Sequence, residues 1–298
     1  MTTAPSVATI GFFDGVHRGH QTIIGRAVRA AEDRAERAVA VTFDRHPMEV
    51  LAPGSQPKLL MTLERRGRTL LDEMALDLVL VLPFTLALSH RTAEEFVEDV
   101  LVNVIGVTKV VVGSNFRFGH KAAGTVATLN ELGDVHGFEV ETVSLLHREE
   151  TAISSTEIRR RIEAGDVEWV AAALGRPHVV DGPVVRGDGR GRSLGVPTAN
   201  VEVSPSIQVP ARGVYTARVE VRGDRIPALV SIGTRPTFGG EHETVEAYLL
   251  DFDRDLYGEH VAVWFEQRLR DELAFDSVDD LVRAMREDIR IGRERLGA

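Results

Sequence analysis

Residues 10–21 read I-G-F-F-D-G-V-H-R-G-H-Q, where a short apolar strand gives way to spaced glycines and two histidines. Gly11, Gly15 and Gly19 let the backbone turn sharply and come close to a ligand. A helix starting near Val16 puts His17 and His20 on one face of its first turn. The helix start itself offers unpaired N–H groups and a partial positive charge to an anion. Strand, glycine turn, histidine pair and helix start together describe a site for nucleotide phosphates. A histidine pair alone is commonly solvent-facing, so the rest of the chain has to decide.

Outward from this stretch, the first half alternates elements. Strands are predicted at 8–12, 38–43, 78–82, 109–112 and 139–143, and helices at 21–37, 63–74, 92–102 and 126–132. Short β-branched strands separated by amphipathic helices predict a parallel sheet covered on both faces, an α/β layer architecture. Such sheets bind ligands beyond the carboxyl ends of their strands. The His17 motif, His46 and Asn115 each follow a predicted strand and should converge there. From about Asp181 the strands at 214–221, 225–232, 244–252 and 260–269 succeed one another without helices, which predicts an antiparallel barrel or sandwich. A helix at 278–291 ends the chain. The change in pattern near Gly175–Asp181 gives two domains, 1–175 and 181–298.

Three further strings lie in the first half: T-F-D-R-H-P at 42–47, G-S-N-F-R-F-G at 113–119 and I-S-S-T-E-I-R at 153–159. Ser154 with Glu157 reads as a capping box, so Ser154, Ser155 and Thr156 crowd hydroxyls and N–H groups at a helix start. Arg159, one turn on, can present its guanidinium fork to the same phosphate. In the second half, 182–200 reads G-P-V-V-R-G-D-G-R-G-R-S-L-G-V-P-T-A-N. Successive N–H groups of Gly187 to Gly191 can form an anion nest, which makes Gly187, Gly189 and Gly191, with the adjoining Arg192, candidate nucleotide-binding residues. Thr198 and Asn200 alternate in an extended segment, face one way, and offer hard oxygens suited to Mg²⁺.

The string G-x-F-D-G-V-H-x-G-H resembles the nucleotidylyltransferase signature of bacterial bifunctional riboflavin kinase/FAD synthetases, and P-T-A-N resembles the riboflavin kinase signature. The resemblance implies a Rossmann-like adenylyltransferase domain and a β-barrel riboflavin kinase domain with a closing helix. It implies ATP as co-substrate with Mg²⁺, and riboflavin and FMN as the other substrates. Carried onto this chain, Gly11, Phe12, Asp14, Gly15, Gly19 and Ser154 bind nucleotide. His17, His20 and Arg159 neutralise phosphate charge, Ser155 and Thr156 hold phosphate, and Asn115 contacts the reacting groups. His46 is a flavin contact or a plain turn residue. Flavin contacts in the second half are Arg212, Gly213, Val214, Tyr215, Thr237 and Arg270. The chain departs from the pattern at Val196, Ser231 and Asp271, which bears on flavin or nucleotide affinity. His90, His120 and His178 have no partner at ligand spacing and are read as surface residues.

The two reactions differ in their nucleophile. A phosphate monoester is already ionised at neutral pH, so adenylyl transfer to FMN needs positioning and charge neutralisation, without a base. Riboflavin's 5′-hydroxyl carries a proton, so the kinase needs a base. Glu246 matches the family's glutamate, and Asp251 and Asp255 are weaker rivals.

Composition sets the outer limits. At 298 residues and 43% hydrophobic content the chain suits two ordinary globular domains. A net charge of −10 argues against nucleic acid as a partner. The absence of cysteine excludes disulfides and thiolate chemistry and fits a reducing cytoplasm. The first seven residues lack signal-peptide order, and the apolar run at 76–88 is too short to span a bilayer. An oligomer is compatible with this sequence but not readable from it. The main rival is an adenylyltransferase whose second domain binds flavin without turnover; a flavin sensor with both sites inert is a third.

Overall fold

The computed structural model describes residues 4–298 apart from 149, 188–190, 192–193 and 238–239, with backbone alone at 235–237 and 240–242. The chain divides into two compact units, Met1–Ser155 and Thr156–Ala298. The division falls inside I-S-S-T-E-I-R, upstream of the pattern change at 175–181.

In the first unit, β1 (Ser6–Ile10), β2 (Arg37–Phe43), β3 (Leu78–Leu82), β4 (Val107–Gly113) and β5 (Glu139–Val143) form an all-parallel sheet in the order β3-β2-β1-β4-β5. Between them run α1 (Arg18–Arg34), α2 (Pro47–Leu51), α3 (Leu63–Arg68, continuing to Glu73), α4 (Leu86–Ser89), α5 (Ala93–Phe96, continuing to Ile105) and α6 (Val126–His136), and after β5 a short antiparallel pair forms from β6 (His147–Arg148) and β7 (Thr151–Ala152). β1 is buried throughout, because alternate residues meet opposite apolar layers. Val7 packs in one layer with Ile24, Ala27 and Ala31 of α1. Ala8 and Ile10 pack in the other with Phe96, Val97 and Leu101. Each large apolar side chain so buried is worth about 1.5–3 kcal/mol. The chain runs outward from β1 through β2 to β3, then returns to place β4 on the other side of β1. That reversal opens a crevice at the carboxyl ends of β1 and β4, where such sheets take ligands.

Element boundaries move for local reasons. β1 stops at Ile10: the Gly11 N–H still reaches Val41 O at 3.0 Å, but Phe13 then turns left-handed at φ 54°. α1 begins at Arg18 and His17 is its cap, so His17 stands outside the helix that the sequence placed it in. α1 ends where Ala35 adopts φ 53°.

The second unit opens with α7 (Ser155–Glu163), which begins at the division, and α8 (Val167–Leu174). A closed antiparallel barrel follows: β8 (His178–Val185), β9 (Ala199–Val201), β10 (Gly213–Val221), β11 (Asp224–Thr237), β12 (Gly240–Leu249) and β13 (His260–Arg270), in the order β10-β11-β12-β9-β8-β13. Closure removes the unpaired edges that an open sheet of this size exposes. α9 (Val278–Leu296), capped by Ser277, packs against β10 and β11. His178 is not a surface residue as the sequence suggested. It is buried at the start of β8, with Nε2 2.8 Å from Gln208 O and its ring stacked on Phe265. Burial pushes its pKa down to about 4. His120 is half-buried, with Nδ1 3.0 Å from Ser89 O, whereas His90 is exposed.

Candidate active sites

The first site is built on the turn between β1 and α1. Phe13, Gly15 and Val16 have φ of 54°, 81° and 40°. Phe13 and Val16 are buried non-glycine residues in the left-handed region, a strain of about 1–3 kcal/mol each. Such strain persists only where neighbours hold it, and here they do. The Asp14 carboxylate accepts the Leu60 N–H at 2.9 Å, and the Asp14 carbonyl accepts the Ser155 hydroxyl at 2.9 Å. The Thr42 hydroxyl donates to Phe12 O at 3.1 Å.

The turn delivers the histidines as a stacked pair. Their ring centroids are 3.6 Å apart, and His17 Nδ1 accepts the His20 N–H at 3.4 Å. Gly19 permits this, because a Cβ there would sit 3.1 Å from the His17 ring. The edge of Phe13 closes the other side of His20, at 5.3 Å between centroids. His20 Nδ1 is buried and has no hydrogen-bond partner among the described residues. Burial, then the charges of His17 and Arg66, holds the His20 imidazole well below its ordinary pKa. The ring is thus held neutral, with its Nδ1 buried among apolar and aromatic neighbours.

Topology brings the other first-unit candidates to the same edge. Asn115, just past β4, folds back so that its Oδ1 lies 3.2 Å from the place of a Gly113 Cβ, beside Ile23 of α1. His46 follows β2 but caps α2, its Nδ1 accepting the Met48 N–H at 3.1 Å, with its ring edge-on to Phe12 at 5.1 Å. Ser154 precedes α7, and Thr156 and Arg159 lie on it, in the second unit. Glu157 is engaged by Arg160 and Arg161, and the Arg160 hydrogen bond is the main cause of its pKa falling to about 2. The sequence reading missed Arg66. This buried residue of α3 donates to Phe12 O at 2.9 Å and Phe43 O at 2.5 Å, with its guanidinium 4.4 Å over the Phe12 ring. An isolated Arg in R-R-G-R carries no motif signal.

The second site is built by strand pairing. In register, Glu246 on β12 lies between Asn200 on β9 and Ser231 on β11. The Thr198 hydroxyl donates to Glu246 Oε2 at 3.2 Å. Asn200 lies flat on Gly187, where a Cβ would come within 2.4 Å of its amide. Thr198 lines two cavities. One, of about 290 Å³, is mainly apolar: Val196, Val214, Leu229, Phe275, Met285 and Ile289 wall it, with Glu246, Ser231 and Glu272 as polar points. The other, of about 420 Å³, is lined by Phe252, Asp253, Arg254, Asp255 and Tyr257.

The flavin candidates disperse. Val214 lines the apolar cavity. Tyr215 is fully buried, its hydroxyl donating to Ala211 O at 2.5 Å, and burial raises its pKa to about 12. Arg212 gives its carbonyl to Arg268 at 2.8 Å, and Gly213 backs onto the Arg270 carbonyl. Arg270 lines the cavity, but its guanidinium is bound by Asp288 of α9 at 2.7–3.2 Å. The cavity wall contributed by α9 was not foreseen. Gly189 and Arg192 lie outside the described residues, as does the side chain of Thr237. Among the described residues no group of three or more His, Asp or Glu is arranged to hold a metal, and no helix is long and apolar enough to cross a membrane.

The FAD synthetase family model matches residues 1–157, and the riboflavin kinase family model matches residues 174–296. A bifunctional riboflavin kinase/FMN adenylyltransferase from Pseudomonas fluorescens is 38% identical over 288 residues, covering 96% of this chain and 92% of that protein. The protein of the same name from Escherichia coli K12 is 34% identical, covering 98% and 93%. A solved structure from Streptococcus pneumoniae, described as a macrolide-efflux protein, superposes with a TM-score of 0.90 at 34% identity, covering 98% of this chain and 95% of that one. The histidine turn and the Thr198–Glu246 pair thus sit inside two modules matched in sequence order, and the chain belongs to the bifunctional riboflavin kinase/FMN adenylyltransferase family.

Proposed function

We propose that this chain converts riboflavin to FMN on the barrel and FMN to FAD on the parallel-sheet unit, using ATP in both steps, with residues 1–175 as the adenylyltransferase and 181–298 as the kinase. The observation that carries the kinase reading is the position of Thr198 and Glu246. Thr198 lines both the apolar cavity and the more polar one, and Glu246, which accepts its hydroxyl, lines the apolar one, so a flavin in the apolar cavity can meet the carboxylate while nucleotide occupies the other side of Thr198. In the kinase step the riboflavin 5′-hydroxyl oxygen attacks the γ-phosphorus, ADP leaves, and Glu246 takes the hydroxyl proton. The Thr198 hydroxyl orients that carboxylate by donating to it.

Thr198 Oγ1 and the Asn200 amide oxygen are hard oxygens suited to Mg²⁺, and Gly187 leaves room beside Asn200. Bound there, the metal would neutralise phosphate charge. In the adenylyl step an FMN phosphate oxygen attacks the α-phosphorus and pyrophosphate leaves. His17, His20 and Arg159 serve as hydrogen-bond donors to the charge that develops on phosphate, His20 as a neutral ring, and Ser155, Thr156 and the helix start of α7 hold phosphate. Asn115 lies at the sheet edge beside α1, where it can orient a reacting group.

The test is to incubate purified protein with riboflavin, ATP and Mg²⁺ and separate the products by chromatography. FMN followed by FAD is expected. Riboflavin that binds and stays unphosphorylated, with FAD formed only from supplied FMN, would favour a barrel that binds flavin without turnover.

A further inference from the structure

We infer that Arg66 is a positioning residue for adenylyl transfer: it ties the carboxyl ends of β1 and β2 together and so fixes the strained turn that presents the histidine pair. The inference rests on the adenylyl-transfer reading of that turn. Arg66 comes from α3, far from the nucleotide motif in sequence, and is 3% exposed. One guanidinium nitrogen donates to Phe12 O at 2.9 Å and the other to Phe43 O at 2.5 Å. Its cationic plane lies over Phe12, and its Nε is buried without a partner among the described residues.

For stability alone this is a poor arrangement. A charge is taken out of water and set against two neutral carbonyls, with no carboxylate bound to it. Burial pulls even its pKa down to about 10, against the pull of Asp14 and Asp44. The geometry of the turn accounts for its presence. Phe12 immediately precedes Phe13, where the left-handed backbone begins, and Phe43 ends the strand beside it. Holding both carbonyls with one rigid fork fixes where the turn leaves the sheet. Leu60, just upstream on the same segment, holds the turn again through Asp14. The 60–66 segment therefore grips the turn at Phe12 and at Asp14, on either side of Phe13. With both guanidinium nitrogens committed and the side chain buried, Arg66 acts through the turn and not on a phosphate.

Arg66 also acts at a distance on His20. The charged or titratable groups acting on that ring are His17, at the start of its own helix, and Arg66, from α3. Removing the Arg66 charge raises the His20 pKa, so an acid-side loss of rate set by His20 protonation moves to higher pH.

The test is FAD formation from supplied FMN and ATP by the full chain carrying R66M or R66K, with the kinase rate on the same preparations. For R66M we expect kcat to fall about a hundredfold with KM for ATP and FMN nearly unchanged, the cost of a misplaced catalytic group. Its acid limb should shift upward while FMN formation stays normal. R66K keeps the charge but replaces the rigid two-nitrogen fork with a single nitrogen on a flexible stem, so it should lose about tenfold in kcat and keep the wild-type pH profile. Wild-type kcat in folded R66M, or in R66K if R66M does not fold, overturns the inference. So does a loss confined to KM, which would make Arg66 a binding residue. His20→Ala is run alongside. If it too retains FAD synthesis, the reading of the histidine site has failed; if it alone loses activity, only the role of Arg66 has.

Discussion

The two units place their chemistry by opposite means. In the first, the histidines, the glycines and Asp14 lie within residues 11–20, and a strained turn gathers them. In the second, the Thr198–Asn200 segment and Glu246 are distant in the chain, and the β9–β12 register sets Asn200 opposite Glu246 with Thr198 hydrogen-bonded to it. The chemistry explains why both suffice. An ionised phosphate nucleophile asks only for fixed charge donors, which one turn and one helix start can supply. A hydroxyl nucleophile needs a base beside it and phosphate ligands on the other side, hence groups from several strands. If this contrast is right, damage to each unit should be selective by reaction.

The largest effect should come from Glu246→Gln. The variant keeps size and hydrogen bonding, including acceptance from Thr198, but cannot take the proton. FMN formation should fall by about a hundredfold to ten-thousandfold. FAD formation from supplied FMN should be unchanged, and both rates are measured on one preparation. Near-normal FMN formation would end the contrast and turn attention to Asp251. That residue is engaged by Arg293 at 2.6–2.8 Å, which makes it the poorer base.

The boundary between the units gives the next effect. Val167, Trp169, Val170, Ala173 and Leu174 of α8 are buried, and α8 packs on β13 and β8. Arg268 of β13 donates to Ala164 O at 3.1 Å, and the Ala211 N–H reaches Ile162 O. A fragment starting at 176 loses this apolar layer, whereas one starting at 156 keeps it. Losing Trp169 alone should cost about 3–5 kcal/mol, a hundredfold or more in the folding constant. Denaturant unfolding of the two fragments measures the difference. Equal midpoints would show α8 to be dispensable to the barrel.

How much was legible follows the same contrast. The parallel sheet and the run of antiparallel strands were readable because strand periodicity is a local property, whereas the choice of barrel over sandwich came from the family resemblance. The histidine string was readable because its residues are contiguous. Glu246 was reached only through family resemblance, since nothing in its own neighbourhood marks it. Arg66 and the α9 side chains were missed altogether. They act through contacts between segments distant in sequence, and a lone Arg or an amphipathic helix face carries no sign of its partner. His178 was misread for the same reason: only the barrel reveals that Gln208 satisfies its ring. The left-handed φ at Phe13 and Val16 was invisible too, because glycine was the expected signal and neither residue is one.

His20→Ala should cost FAD formation about a hundredfold, the usual loss for one preorganised hydrogen-bond donor, with FMN formation near normal. The His17–His20 stack makes the test sharper. Without the His20 ring, His17 loses its neighbour at 3.6 Å, so His17→Ala and the double variant should lose much less than the product of the single losses. Full additivity would mean that the rings act separately and the strained turn is not a single unit.

The smallest effect should come from the wall of the apolar cavity that we propose takes riboflavin. Asp288 holds Arg270 with three hydrogen bonds at 2.7–3.2 Å, joining α9 to the end of β13 across a cavity that both line. This contact orders a binding wall and touches no reacting group in the proposed chemistry. Asp288→Asn keeps the shape but removes the charge that makes the Arg270 hydrogen bonds strong. Hydrogen bonds to charged groups are worth about 1.5–3 kcal/mol, and part is recovered by the remaining amide oxygen. We therefore expect KM for riboflavin to rise about tenfold, equivalent to about 1.4 kcal/mol, with kcat and FAD formation held. Steady-state kinetics with riboflavin as the varied substrate reads this directly. A fall in kcat at unchanged KM would instead mean that the α9 tether aligns the hydroxyl with Glu246. The second site would then depend on a clamp from a distant helix, as we infer for the first site through Arg66.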